Sequence, residues 1–251
     1  SNDLNEIFAE FKTNGIIDLA IDLRYNGGGS VRNCVELASM ITGQFTNQIF
    51  SNEQWNSKLD KYLKEKFGSE SQINRFVGVL SDGEPINSLE LNRVFILTTS
   101  ESASASELLI NGLAPLIEVI HVGEKTVGKN VGSITVYDYI DNDGTRNPDH
   151  RYAMQPIVLK IANSDGFADY AEGLEPSTLI EEDLQNMGTL GDEKESFLAT
   201  VLNLIEGSTD KYNIPKALLS RKFLVEDPQL LNRQRMFSDK VIPPSFVEKN
   251  N

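Results

Sequence analysis

The chain has 251 residues, of which 39% are hydrophobic and 24% charged, proportions that exclude a disordered or fibrous protein. Its formal charge of −14 repels phosphate backbones and anionic lipid, so nucleic acid is not an expected partner. Cys34 is the sole cysteine, which excludes a disulfide framework and a cysteine-rich metal site, and its apolar surroundings predict a buried thiol.

The first half of the chain predicts a helix over 3–13, a strand over 16–23, a glycine turn and a helix over 31–41. The strand is an almost continuous apolar run, which is typical of a parallel strand covered on both faces. A charged amphipathic helix is expected over 55–67, followed by a loop or lid over 68–92.

The strand, turn and helix pattern returns further along the chain. Residues 94–99 predict a strand, 100–106 a small-residue turn, 107–113 a helix and 117–122 a third strand. Strands that alternate with helices indicate an α/β fold with right-handed connections.

After Ser133 the hydrophobic period changes to two, which predicts an antiparallel hairpin around 141–144 and a strand over 152–161. A further helix is expected over 193–205, with Gly207 as its cap. We expect 1–207 to form one core and 208–251 to be an extension, partly extended or disordered.

The turn at 100–106 could present a serine nucleophile, because small residues between a strand and a helix leave a hydroxyl exposed beside backbone N–H groups. Such a hydroxyl needs a base within hydrogen-bond reach. His121 lies in an apolar strand and His150 in a polar turn, so structural roles are expected for both. Lys129 follows a glycine and precedes an apolar strand, which makes it a better candidate than the solvent-paired Lys125.

A third element is the segment DLRYNGGGS, a strand that ends in glycines before a helix. There a backbone N–H can approach a developing oxyanion closely. Two other motifs are decoys. GEKTVGKN lacks the Ser/Thr and the following helix of a phosphate-binding loop, and DNDG lacks the outer ligands of a calcium loop. No cofactor or metal is expected.

Together these segments resemble the C-terminal processing, or tail-specific, serine peptidases. The motifs occur in the family's order: LAIDLRYNGGG, SASASELLINGL, VGEKTVGKNVGS, EGLEP and LGDEKESFLATVL. The resemblance covers about 3–206 and implies a ClpP/crotonase-like core of repeated ββα units with an added antiparallel hairpin. It also implies an endopeptidase that cleaves polypeptides, near their C-termini, without a cofactor.

The resemblance implies Ser104 as the nucleophile and Lys129 as the base of a Ser/Lys dyad. The amides of Gly28 and Ala105 are the implied oxyanion donors. The implied supporting residues are Gly29, Glu107, Thr126 and Ser133.

Two positions depart from the family pattern, because Pro115 stands where some members have aspartate and Ser133 where many have glutamine. The group that orients Lys129 therefore stays open, with Ser133 and Asn130 as the candidates. The motifs resemble most closely the lipoprotein-type members of Bacteroides-like bacteria, which implies an envelope location. No leader and no PDZ domain occur in this stretch, so we expect both to lie outside it.

The alternative to a peptidase is a catalytically silent module that binds a peptide or another ligand on the same fold. A polypeptide is the expected partner, no membrane span is expected, and an oligomer is compatible with the sequence.

Overall fold

The computed structural model describes residues 1–141, 143–207 and 235–240. The helices of this part are α1 (Asn2–Asn14), α2 (Val31–Thr42), α3 (Ser57–Phe67), α4 (Ala105–Leu113) and α5 (Ser196–Glu206). The first strands are β1 (Ala20–Asp22), β2 (Gly28–Ser30), β3 (Ile49–Trp55), β4 (Ile73–Arg75), β5 (Arg93–Thr98) and β6 (Glu118–Gly123). The later strands are β7 (Val131–Ser133), β8 (Val136–Tyr137), β9 (Ala153–Met154), β10 (Ile157–Asn163), β11 (Thr178–Leu179) and β12 (Arg235–Phe237).

Four strands form a parallel sheet in the order β1, β5, β6, β11. The interior strand β5 is buried at five of its six residues, and four of these are apolar, as expected for a strand covered on both faces. The α/β class predicted from the sequence is therefore confirmed. Strand β1 is shorter than predicted, but the pairing with β5 continues from Leu19 to Leu23, so the apolar run is extended over most of its length.

A second sheet has the order β2, β12, β7, β10, β3, β4. Its strand β3 was not predicted, because IFSNEQW mixes apolar and polar residues on both faces. Its Glu53 is buried, and the carboxylate is paired with Asn74 and Lys240 from distant segments. The predicted hairpin is present as β8 and β9, which pair antiparallel and are joined by a further bridge between Tyr139 and Arg146.

The larger hydrophobic core contains buried residues of α1, α2, α3 and α4 together with both sheets. Helix α4 is buried at all nine of its positions, so the serine turn at its start is anchored in the centre of the protein. A smaller cluster joins α5 to the parallel sheet through Phe197, Val201 and Leu97.

Helix predictions agree well with the structure. The 3–13, 31–41, 107–113 and 193–205 predictions correspond to α1, α2, α4 and α5, and Gly207 caps α5 in a left-handed conformation. Helix α3 starts two residues later than expected, behind the Asn56 cap, and 68–92 contains β4.

The predicted extension is described only over 235–240, where it supplies β12 to the second sheet. The rest of 208–251 lies outside the described residues. Within the described ranges no helix has the length and hydropathy required to cross a bilayer.

Candidate active site

Ser104 precedes the first residue of α4 and has backbone angles of φ 66° and ψ −114°. A positive φ is costly for a residue with a Cβ and persists only where the surrounding structure enforces it. The side chain is completely buried, and its hydroxyl has no hydrogen-bond partner among the residues that the structure describes. Ser104 is also the N-cap residue of α4, with Glu107 at the capping-box position, but a buried hydroxyl without a well-formed hydrogen bond is destabilising and is typical of a functional group.

Glu107 joins the serine turn to the lysine turn. Its Oε2 accepts the backbone N–H of Ser104 at 2.6 Å and that of Lys129 at 2.9 Å. Its Oε1 accepts the Thr126 hydroxyl and the Gly128 N–H, both at 2.6 Å. The carboxylate is fully buried, and these four donors hold the two turns in a fixed relation.

The lysine turn depends on a glycine. Gly128 has φ +93°, and a Cβ there would lie 2.3 Å from the carbonyl oxygen of Ala171 and 2.4 Å from the nitrogen of Gly173. Both neighbours are backbone atoms, so only glycine allows this close approach. Lys129, which follows it, is half-buried and lies two residues before β7.

The glycine turn contacts the serine turn. Gly28 has φ 100°, and its N–H donates to Asn26 Oδ1 at 2.9 Å. Gly28, Gly29 and Ala105 line one cavity of about 220 Å³. Apolar side chains make up much of its wall, among them Cys34, Leu37 and Leu109.

Hydroxyl and amide groups fasten the serine turn to the glycine turn. Ser102 Oγ donates to the carbonyl of Leu23 at 2.6 Å, and Ala103 N donates to that of Asn26 at 3.1 Å. Ser106 Oγ donates to the same Asn26 carbonyl at 2.9 Å and lies 3.0 Å from Asn26 Oδ1. The backbone of Gly28 is therefore positioned relative to Ser104 by side chains of α4 and its turn.

A buried arginine anchors the start of the glycine turn. Arg24 forms ion pairs with Asp22 at 2.7 Å and with Glu195 at 2.9 Å, and its guanidinium stacks over Phe197 at 4.5 Å. Burial opposes its charge, but the hydrogen bonds and charges of the two carboxylates more than compensate and raise the pKa of Arg24. This cluster fixes the turn to the start of α5.

The candidates for orienting Lys129 have other partners. Ser133 Oγ donates to the carbonyl of Met236 at 3.3 Å, and Asn130 Nδ2 donates to that of Ala168 at 2.6 Å. Neither histidine is part of this site. His121, in β6, is buried beside Thr98 of β5, and His150 pairs with Asp138 on the hairpin.

Sequence reasoning did not single out Asn26, Ser102, Ser106 or Tyr170. The first three lie inside the quoted motifs. Their position in the sequence next to the glycines and to Ser104 could have identified them. The buried hydroxyl of Tyr170 has no hydrogen-bond partner among the described residues. Burial, followed by the charge of Glu107, raises the pKa of Tyr170. Its position close to Glu107 depends on a fold that brings 167–173 to the lysine turn, which no local pattern indicates.

Solved structures with similar folds include an S41 protease from Bacteroides fragilis NCTC 9343. It is 25% identical with a TM-score of 0.66, over 82% of this chain and 49% of that chain. A peptidase from Parabacteroides merdae ATCC 43184 is 18% identical with a TM-score of 0.48, over 81% and 56% of the two chains. The photosystem II D1 C-terminal processing protease is 20% identical with a TM-score of 0.47, over 71% and 38%.

The chain thus spans about half the length of the Bacteroides protein. No curated protein matches it. The family model described as peptidase family S41 matches residues 1–155, which is more than half of the chain and includes the glycine, serine and lysine turns. The chain belongs to peptidase family S41.

Proposed function

We propose that this chain carries the catalytic core of a serine endopeptidase in which Ser104 is the nucleophile and Lys129 the general base. The observation that carries the proposal is the buried Ser104 hydroxyl, which stands on a strained turn and has no hydrogen-bond partner within 1–141, 143–207 and 235–240. Membership of the S41 peptidases supports the same reaction.

In the proposed mechanism the Nζ of uncharged Lys129 takes the hydroxyl proton as Ser104 Oγ attacks the carbonyl carbon of a peptide bond. The N–H groups of Gly28 and Ala105 stabilise the oxyanion. Lys129 then gives the proton to the leaving amine, and the acyl-enzyme forms. A water molecule, deprotonated by the same lysine, hydrolyses the ester and returns the hydroxyl to Ser104.

Two features of the resting site have to change when a substrate binds. The Gly28 N–H is engaged by Asn26 Oδ1, so an oxyanion would have to replace that acceptor. Ser104 is fully buried, so the chain must open locally before a peptide can reach Oγ. Resting hydrogen bonds in active sites often rearrange when substrate binds, and both changes are compatible with catalysis.

The substrate is proposed to be a polypeptide, cleaved near its C-terminus, and the location to be the cell envelope. Both proposals come from the family resemblance. Cleavage of paired peptides with free and amidated C-termini tests the first, because recognition of the terminal carboxylate requires the free form. Fractionation of cells that produce the full-length protein tests the second.

The proposed mechanism is tested with Ser104→Ala and Lys129→Ala, measured by cleavage of an unstructured polypeptide and by fluorophosphonate labelling. Both variants should lose cleavage while their melting temperatures stay close to that of the unmodified protein. Ser100→Ala and Lys125→Ala are the matched controls, since these side chains are exposed in the same two segments, and both should retain activity.

The alternative is a catalytically silent binding module, and the hydrogen bond that already occupies the Gly28 N–H is the feature that favours it. A full-length protein that neither hydrolyses peptides nor reacts with a fluorophosphonate at Ser104 would decide for this alternative. Wild-type activity in Ser104→Ala or Lys129→Ala would refute the proposed dyad.

A further inference from the structure

Strand β12, which belongs to the C-terminal segment 235–240, lies between the strand that carries the glycine turn and the strand that follows the lysine turn. It runs parallel to β2, with Met236 opposite Gly29 and Phe237 opposite Ser30. On its other side Phe237 pairs with Ser133 of β7. Within the described part of the chain β2 is an edge strand, and β12 is its sole strand partner.

The segment is held firmly on the β7 side. Met236 is fully buried in the larger hydrophobic core. Its carbonyl accepts the Ser133 hydroxyl at 3.3 Å, and Ser238 N donates to the Ser133 carbonyl at 3.1 Å.

Two charged side chains hold the end of the segment to other elements. Asp239 Oδ2 accepts the Ser30 hydroxyl at 2.6 Å and lies 3.4 Å from the N–H of Arg32, at the start of α2, where a negative charge is favourable. Lys240 forms an ion pair with the buried carboxylate of Glu53 in β3. The segment therefore joins β2, β7, α2 and β3.

Strand β2 needs such a partner more than an ordinary strand does. Two of its three residues are glycines, which contribute no side-chain packing and have high backbone freedom. Gly28, the proposed oxyanion donor, is the first of them. Lys129, the proposed base, is two residues ahead of β7. The pairing of β12 with both strands is thus a direct connection between the two halves of the proposed site.

We propose that segment 235–240 is a positioning element of the active site, which sets the glycine turn in register with the lysine turn. This inference rests on the proposed peptidase function. Because Ser133 and Met236 are 103 residues apart in sequence, the geometry of the site depends on a chain segment far beyond the catalytic motifs. Docking of this segment makes the site competent, and its release lowers activity.

The variant Asp239→Ala tests the proposal, because Asp239 is exposed and its removal leaves no buried charge without a partner. Asp149→Ala, an exposed aspartate on the hairpin, is the matched control. We expect Asp239→Ala to lower kcat and the rate of fluorophosphonate labelling about tenfold, since small displacements of catalytic groups have effects of this size or larger. KM should change little, and hydrogen–deuterium exchange should become faster at 28–30.

A conservative variant separates positioning from general stability. Asp239→Asn keeps an acceptor for the Ser30 hydroxyl and should restore most of the kcat lost in Asp239→Ala. Lys240→Gln weakens the contact with Glu53 and should lower kcat in the same direction. If Asp239→Ala does not fold, the comparison of Lys240→Gln with Asp239→Asn decides the question.

Faster exchange at 28–30 with unchanged kcat and labelling would overturn the proposal, because the segment would then be merely structural. Unchanged exchange and unchanged kcat would overturn it as well. A wild-type protein without cleavage or labelling would instead refute the proposed function. In that case the exchange rates of 28–30 and 131–133 still decide whether the segment positions these strands.

Discussion

Ser104 and Glu107 are both fully buried in the same turn of α4, but their polar groups are in opposite situations. In the described part of the chain the Glu107 carboxylate accepts four hydrogen bonds, whereas the Ser104 hydroxyl has no partner. The carboxylate accepts these hydrogen bonds from three backbone N–H groups and from the Thr126 hydroxyl. The serine backbone is therefore fixed while its hydroxyl is left available for reaction.

The substitution Glu107→Gln should damage both stability and activity. Each oxygen of the Glu107 carboxylate accepts two hydrogen bonds. In glutamine an NH2 group, which can only donate, replaces one oxygen and faces two of the four donors. The negative charge that strengthens the two remaining hydrogen bonds is also lost. We expect the free energy of unfolding to fall by about 3 kcal/mol, measured by urea denaturation. Fluorophosphonate labelling of Ser104 should slow by about 100-fold.

Glu193→Gln, at an exposed position before α5, is the control for Glu107→Gln and should leave both quantities unchanged. If Glu107→Gln labelled at the wild-type rate, the carboxylate would not be required to position the nucleophile.

At the scale of elements, the site is made of three turns that follow parallel strands or precede helices. The glycine turn follows β1, the serine turn follows β5 and the lysine turn follows β6, and these three strands are neighbours in one sheet. Because parallel neighbours end at the same edge, the turns are brought together by the sheet itself. Contacts between the turns then set the final distances.

The close approach at Gly128 gives a test of the lysine turn. Gly128→Ala would place a methyl group 2.3 Å from the Ala171 carbonyl oxygen, so the turn has to shift. Gly144→Ala is a matched control, since its φ of +89° is similar but no atom lies within 4 Å of the added group.

We expect Gly144→Ala to lower the free energy of unfolding by about 1 kcal/mol, the usual cost of this backbone region. Gly128→Ala should lower it by at least 2 kcal/mol more, because overpacking against backbone adds to that cost. It should also abolish cleavage. Equal effects of the two substitutions in urea denaturation would show that the contact with Ala171 is relieved without cost.

At the scale of the whole molecule, one buried histidine links stability to pH. His121 lies 2.6 Å from the Thr98 hydroxyl, its Nδ1 faces the carbonyl of Glu175, and burial lowers its pKa from 6.5 to about 4. In the unfolded chain His121 takes up a proton as the pH falls below 6.5, whereas in the folded protein it stays neutral down to about pH 4.

The folded state should therefore lose stability between pH 6.5 and pH 4, by on the order of 3 kcal/mol from this residue. His121→Gln should show a smaller decrease than the wild type when urea denaturation at pH 7.5 is compared with that at pH 5. His150→Gln is the control, because His150 is the other histidine of the chain and lies partly exposed on the hairpin. An identical decrease in the His121→Gln variant would contradict this interpretation.

The sequence by itself determined the α/β class, the five helices and the three turns that form the candidate site. These features are local: an apolar run fixes a buried strand, glycines fix a turn, and a 3.6-residue period fixes a helix. Glu107 and Thr126 were also indicated, since the motifs that contain them resemble those of a known family.

The tertiary structure alone decided which groups meet. Glu107 accepts from a turn more than twenty residues away, Asn26 closes on Gly28, and β12 returns from the C-terminal segment to pair with β2. A strand of three residues carries too little pattern to be recognised in sequence, and its position is set by the edge that it covers and the core that receives Met236. These pairings depend on contacts between residues that are far apart in sequence. Such contacts contribute to the free energy of folding only once the chain has folded.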